Sequence, residues 1–199
     1  MFGYHRFVVA QLSTLDPSTL MPKETYIQIS IREFKRMKVL AEGAFAQVTP
    51  EQFFAAPSED DNSIAVIAKH VGGNLVSRWT DFLTTDGEKP GRNRDSEFEI
   101  TATDTQQILI GRWESGWAAL FSALEPLTDA DLERTVTIRG ERFSVLQAIN
   151  RQLTHYSYHV GQIVYVAKHY AASSWRSLSI AREKSVQFNA KPSKYVKRV

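Results

Sequence analysis

The sequence contains no cysteine among its 199 residues. This absence excludes disulfides, thiolate metal sites and cysteine nucleophiles, so any bound metal must be held by histidine, aspartate, glutamate or water. It agrees with a reducing compartment, and we expect a cytoplasmic protein. A run of about 18 apolar residues is also absent, so we expect no membrane partner.

The sequence also has little excess of positive over negative charge. The formal net charge is +2, which is too small to argue for nucleic acid. The sequence has no helix-turn-helix pattern and no basic face with interleaved aromatic residues. We therefore expect no nucleic-acid partner.

Three segments are expected along the chain. Residues 1–20 are interpreted as an N-terminal extension, because "MPKETYIQIS" from Met21 onward reads like a natural protein start. Residues 21–190 are expected to form one domain, since a chain of this length suffices for one sizeable core. Residues 191–199 form a basic tail with little to bury.

Four long segments carry apolar residues at intervals of three or four, which predicts four amphipathic helices. They span residues 25–48, residues 63–82, residues 104–125 and residues 145–170. The stripe of the last segment is the most regular of the four and comprises Leu146, Ile149, Leu153, Tyr156, Val160, Ile163 and Ala167.

Helix starts and a hairpin can be assigned as well. Asn62 or Ser63 is expected to cap the second helix, Thr103 with Gln106 the third, and Ser144 with Gln147 the fourth. The segment 135–143 alternates β-branched residues around Arg139-Gly140, which predicts a short β-hairpin with a two-residue turn. The predicted fold class is all-α, a four-helix bundle with this hairpin before the last long helix.

Two histidines on the fourth helix raise a functional question. His155 and His159 are four residues apart, so both imidazoles lie on one helix face, about 100° from the apolar stripe. His70 on the second helix lies off its own stripe and is the third candidate ligand. Three histidines would leave coordination positions open, as in catalytic zinc sites. The alternative interpretation is that these residues are polar groups on a solvated flank.

Three stretches resemble the DinB/YfiT-like superfamily, and in particular its uncharacterised bacterial proteins. They are "IAKHVGGNLVSRWTDFLTTDGEKPGRNRD", "LTHYSYHVGQIVYVAKHY" and "WRSLSIAREKSVQFN". The resemblance implies a four-helix bundle, often dimeric, with a divalent metal on His70, His155 and His159. The residues Ala181-Arg182-Glu183 depart from the family pattern, which leaves the conformation of the last segment open.

The resemblance also suggests an activity. Members include transferases and isomerases that depend on a low-molecular-weight thiol, bound to the metal as a thiolate with a lowered pKa. Such a cofactor fits a chain without cysteine, and zinc or nickel is the metal we expect first. Hydrolysis by metal-bound water is equally open. The alternatives are a non-catalytic metal- or ligand-binding stress protein and a scaffold without chemistry.

The expected substrate is a small molecule, and three residues are candidates for binding it: Asn74, Arg78 and Gln162. Each has a plainer interpretation, since amides are often solvated and such arginines are often surface ion-pair partners. Glu114 is a general-base candidate only if it faces the cleft; otherwise it is an exposed ion-pair partner. No catalytic residue is assigned.

A homodimer is expected from the third helix. If Leu109, Leu120 and Leu124 already fill the core, Trp113 and Trp117 cannot both lie in it and would form an interface.

Overall fold

The structure is a computed structural model that describes residues 24–190. It contains six α-helices and one antiparallel pair of strands. The helices are α1 (Tyr26–Phe45), α2 (Pro50–Phe54), α3 (Ile64–Trp79), α4 (Gln106–Leu124), α5 (Val145–Ala171) and α6 (Ser185–Asn189). The strands are β1 (Thr135–Ile138) and β2 (Glu141–Ser144). The predicted fold class, a helical bundle with a hairpin before the last long helix, is confirmed.

The core forms where the apolar stripes of α1, α3, α4 and α5 meet. Phe34 lies at its centre, with ring centroids 6.1 Å from Trp79, 6.3 Å from Trp117 and 5.9 Å from Tyr156. Each of the four side chains is at most 1% exposed. We call these four residues the aromatic cluster. It stabilises the bundle because each ring removes a large apolar area from water.

The helices pack as two pairs, α1 with α5 and α3 with α4. Small residues allow α3 and α4 to approach closely. A Cβ atom at Gly116 would lie only 3.0 Å from the carbonyl oxygen of Gly72. The side of α3 that faces away from this contact is therefore free to form a cleft with α5.

Most predicted helix starts are correct. Ser63 caps α3 by accepting a hydrogen bond from the backbone N–H of Val66, and Ser144 with Gln147 forms a capping box on α5. The predicted start of α4 is wrong, because Thr105, not Thr103, accepts the bond from Ile108 N. The short helix α2 was not predicted, although Thr49 and Gln52 form a capping box there.

The hairpin is tied to the long loop between α3 and α4. Ile138 pairs with Glu141, so Arg139 and Gly140 form the predicted two-residue turn, both with positive φ. The Asp86 carboxylate accepts hydrogen bonds from both turn N–H groups, each at 2.8 Å. The loop therefore reaches across to the start of α5 and closes one end of the cleft.

Trp113 and Trp117 do not form the dimer interface predicted for them. Trp113 and Trp117 are completely buried in the single chain, and so are Leu109, Leu120 and Leu124. Since α4 packs against α3 on one side and faces α1 on another, its apolar stripe is wide enough for all five. The homodimer itself stays a prediction without this support.

The expected N-terminal extension, residues 1–20, and the basic tail, residues 191–199, lie outside the described residues. The domain limits therefore stay a prediction. Within residues 24–190, no helix is long and apolar enough to cross a membrane.

Candidate metal centre

Three histidines converge between α3 and α5. His70 comes from α3, while His155 and His159 lie one turn apart on α5. A ring nitrogen from each lies within 4.8 Å of the others. The ring centroids are 5.0 Å apart for His70 and His159, and 4.8 Å apart for His155 and His159. These are the three residues that the sequence offered as candidate ligands, and the structure brings their rings together.

Each imidazole has one nitrogen occupied by an oxygen acceptor. Nδ1 of His70 lies 2.8 Å from Glu97 Oε2, and Nδ1 of His159 lies 2.8 Å from Gln162 Oε1. Nδ1 of His155 lies 3.3 Å from Gln152 Oε1. These oxygens only accept hydrogen bonds, so each Nδ1 is the donor, and in the neutral form of each ring Nε2 keeps its lone pair.

The free nitrogen of His159 is a buried orphan. Its Nε2 is shielded from solvent and has no hydrogen-bond partner among the described residues. Leaving a buried polar atom unsatisfied costs stability, so such atoms in native structures call for an explanation. A bound cation at this position would provide one.

Glu97 is itself held in place. Arg92 donates to both of its oxygens, Nε to Oε1 and Nη2 to Oε2, each at 2.8 Å. Burial raises the pKa of the Glu97 carboxyl, but the bonds from His70 and Arg92 outweigh burial and hold this pKa below its usual value. Gly73 leaves room for this arrangement, since a Cβ there would lie 2.9 Å from Glu97 Cδ. The result is an ionised carboxylate that orients His70.

Burial keeps the α5 histidines neutral. It is the largest cause that lowers the pKa of His155 to about 3, and the charge of His159 adds to it. Burial likewise lowers the pKa of His159 to about 4, against the opposing hydrogen bond to Gln162. Both rings therefore have a lone pair available at neutral pH, which metal binding requires.

The donor set fits a divalent ion. Three neutral imidazoles are the ligands of open zinc sites and also suit nickel, iron or copper. Nitrogens in a tetrahedral zinc site are about 3.3 Å apart, given Zn–N bonds of about 2.0–2.1 Å. The observed separations of up to 4.8 Å exceed that distance, so the rings would move closer together on binding an ion.

The three rings form one end of a cleft of about 440 Å³. Its lining is polar and basic, with two aromatic side chains and no acidic residue. It comprises His70, Asn74, Arg78, Arg92, Arg94, Phe98, Arg139, Arg151, Gln152, Thr154, His155, Tyr158 and His159.

The sequence matches the family described as "Protein of unknown function (DUF1572)" over residues 22–184. The chain belongs to this family. No curated protein matches it. Its fold is similar to the crystal structure described as the conserved protein of locus from Enterococcus faecalis, with a TM-score of 0.56 and 15% identity. The likeness covers 74% of this chain and 98% of that one, and it concerns the fold alone.

Of the three residues predicted to bind the substrate, two line the cleft of this member of the DUF1572 family and one does not. Asn74 and Arg78 line the cleft, one turn and two turns beyond His70 on α3. The Oδ1 atom of Asn74 accepts from the Tyr156 hydroxyl at 3.0 Å, which leaves its NH₂ group for the cleft. Gln162 is exposed, does not line the cleft, and bonds His159.

Two further residues lie outside the cleft. Glu114 is half exposed and forms an ion pair with Lys38 at 3.0 Å, so it does not face the cleft. His169 is exposed in the last turn of α5 and is not part of the histidine cluster.

Sequence reasoning missed Glu97, which is 27 residues from His70 along the chain. Glu97 lies in the long loop between α3 and α4, outside the apolar stripes of the helices. The clustering of Arg92, Arg94 and Glu97 in one loop is the signal that was present.

Proposed function

We propose that this protein is a metal-dependent enzyme of the DinB-like superfamily that acts on a small molecule. His70, His155 and His159 would hold one divalent ion, with zinc or nickel expected first. One observation carries the proposal: every Nδ1 is bonded to an oxygen acceptor, which leaves three Nε2 atoms for a common ion. Bound there, the ion would lower the pKa of a thiol or a water molecule in its open position.

The reaction we favour is thiol-dependent transfer. Because the sequence contains no cysteine, a low-molecular-weight thiol would supply the sulfur nucleophile. Asn74 and Arg78 are proposed to bind the substrate from the α3 wall. Gln162 is proposed to position His159, since it contacts that ring from outside the cleft. A hydrolase acting through water is the alternative reaction at the same site.

One observation supports a second candidate, a non-catalytic metal- or ligand-binding stress protein. None of the residues that line the cleft is acidic. Glu97, directly behind His70, is committed to two hydrogen bonds from Arg92. A carboxylate general base is therefore lacking among the described side chains of the cleft. A bundle that serves only as a scaffold is the third alternative.

The remaining predictions concern the setting of the protein. Cytoplasmic location, a bacterial source and assembly as a homodimer stay predictions from the sequence. They do not alter the chemistry proposed for the cleft.

The test begins with the metal. Protein purified without a histidine tag should contain about one divalent ion per chain by elemental analysis. With metal it should melt at a higher temperature than with chelator, because an ion that binds only the folded state stabilises it. The chelated protein should stay helical, since the aromatic cluster does not involve the histidines.

Assays follow for metal-loaded protein. Thiol transfer with several small thiols and electrophiles would separate the enzyme from the binding protein. Identical melting curves with metal and with chelator at neutral pH would favour the scaffold instead.

A further inference from the structure

The cleft has a second end that the histidines do not explain. On α3, His70, Asn74 and Arg78 follow one another at intervals of one turn, and on α5 Arg151, His155 and His159 do the same. The two helices run in opposite directions, because His70 faces His159 while Trp79, near the end of α3, reaches Tyr156. The histidines therefore meet at one end and the arginines at the other. We call the latter the arginine end.

Positive charge exceeds negative charge at the arginine end. The Glu88 carboxylate is shared by three guanidinium groups: Arg78 at 3.7 Å, Arg92 at 3.1 Å and Arg139 at 3.3 Å. Arg92 also holds Glu97, so three guanidinium groups share two carboxylates. Arg151 lines the same cleft and has no ion pair among the described residues; its guanidinium lies over the ring of Phe143.

Arg78 is the most unusual of these groups. It is only 4% exposed, and its Nε and Nη1 atoms have no hydrogen-bond partner among the described residues. Its contact with Glu88 is too long for a hydrogen bond. Burial lowers the pKa of Arg78, and Glu88 opposes this only in part. A buried cation without full compensation is costly, and a fold that needed only packing would favour an apolar side chain here.

We propose that the arginine end, formed by Arg78 and Arg151, binds an anionic group of the substrate, a carboxylate or a phosphate. Guanidinium groups present paired N–H donors that match both anions. The Cα atoms of His70 and Arg78 are about 12 Å apart along α3, given a rise of 1.5 Å per residue. The anionic group and the group that reaches the histidines are therefore different parts of one ligand, with the Asn74 amide between them.

This inference deepens the proposed function, since it rests on it for the orientation of the substrate. The anion site itself does not need a metal. Its first test therefore uses chelated protein, with inorganic phosphate and acetate as probes and sodium chloride at equal ionic strength as reference. Binding is measured by calorimetry and by the shift in melting temperature.

Wild-type protein should bind at least one of the two probes, and the stronger one shows whether the site prefers phosphate or carboxylate. Arg78→Met should weaken binding at least about tenfold, because it removes charge-assisted hydrogen bonds. Arg134→Met is the matched control. Arg134 is half exposed, pairs with Asp131 and does not line the cleft, so binding should be unchanged.

Arg151→Met provides a second variant in case Arg78→Met fails to fold. Arg151 is exposed, so its replacement should leave the bundle intact while weakening anion binding. Absence of binding in the wild-type protein would overturn the inference. Equal binding by wild type and a folded Arg78→Met or Arg151→Met would do the same.

A second test uses the metal-loaded protein and compares 3-mercaptopropionate with its neutral amide. Wild-type protein should bind the carboxylate at least about tenfold more tightly, and Arg78→Met should bind both thiols equally. Equal affinities in the wild-type protein would overturn the inference while leaving the metal site intact. If neither the wild-type protein nor the variants bind metal, while the wild type still binds phosphate or acetate, the proposed function is overturned and the anion site is not.

Discussion

The aromatic cluster in the core and the cleft between α3 and α5 are neighbours that share Tyr156 at their boundary, yet their buried polar atoms differ in how fully they are hydrogen-bonded. In the cluster, the Tyr156 hydroxyl accepts from Trp79 Nε1 and donates to Asn74 Oδ1. Among residues 24–190, Trp117 Nε1 is the one buried polar atom of the cluster without a hydrogen-bond partner. In the cleft, two nitrogens of Arg78 and one of His159 have no partner within the same residues.

The difference separates residues that stabilise the fold from residues suited to bind a ligand. Atoms of the cluster contribute to folding through contacts already present in the chain. The unpartnered atoms of the cleft carry a cost that a ligand would remove. Tyr156 stands at the boundary, since its ring packs in the cluster and its hydroxyl orients Asn74 at the cleft wall.

The largest expected effect comes from the cluster. Phe34→Ala should lower the free energy of unfolding by about 3–5 kcal/mol, because it leaves a cavity among three other rings. Denaturant unfolding measures this, and the metal content of the folded fraction should not change. Val39→Ala, at a position 55% exposed on the same helix, should have little effect. Loss of metal from folded Phe34→Ala would mean that cluster and cleft are not separable.

Acid should destabilise the metal-free protein because two histidines of the cleft have lowered pKa values in the folded state. The pKa values of His155 and His159 are about 3 and about 4 in the folded state, against about 6.5 in an unfolded chain. Between these values the unfolded state binds more protons. The free energy of unfolding is therefore highest above about pH 6.5 and falls on acidification, toward about pH 4 for His159 and about pH 3 for His155. At pH 5 the loss is up to about 2 kcal/mol per histidine.

Melting curves of chelated protein from pH 7 to pH 4.5 measure this loss. The double variant His155→Gln/His159→Gln should show a shallower decline than wild type. His169→Gln should follow the wild-type curve, because His169 is exposed. A decline of equal slope in the double variant would assign the acid sensitivity to the carboxylates instead.

Loss of one ligand comes next. His159→Ala should lower the affinity for metal by more than about a hundredfold. This loss exceeds the one expected when a residue that only hydrogen-bonds a ligand is replaced. Competition titration with a chromophoric chelator measures the affinity. His169→Ala, on the same helix but outside the cluster, should bind metal as wild type does. Unchanged affinity in His159→Ala would remove His159 from the site.

The smallest effect is expected from replacing a residue that hydrogen-bonds a metal ligand but does not itself bind the metal. Glu97→Gln should lower metal affinity by about 10–100-fold, because the carboxylate orients His70 and makes it a better donor. The same titration measures it, with Glu99→Gln as the control, since Glu99 is exposed in the same loop. Gly73→Ala should act in the same direction by displacing Glu97. If the two glutamate variants bind metal alike, the contact between Glu97 and His70 has no role in binding.

Local patterns explain why much of the helical fold could be predicted. The stripes of α1, α3, α4 and α5, the Ser63 cap and the Arg139-Gly140 turn each depend on residues within one or two turns of one another. The errors are local too: Thr103 and Thr105 both suit a helix start, and only the backbone decides between them. Trp113 and Trp117 are both buried because α4 packs against α3 and also faces α1. The spacing of residues in the sequence does not show on how many sides a helix is covered.

For the candidate site, the sequence by itself determined the face shared by His155 and His159, because four residues make about one helical turn. The position of His70 off its own helix stripe made it the third candidate, the resemblance supported that choice, and the structure brings its ring to theirs. Only the tertiary structure decided the rest: Glu97 behind His70, Arg92 behind Glu97, and the burial of Arg78 beside a shared Glu88. These contacts join a loop to two helices, and nothing in a linear pattern specifies where a long loop packs. Burial and charge compensation are properties of the assembled fold, so the chemistry of the cleft became apparent only there.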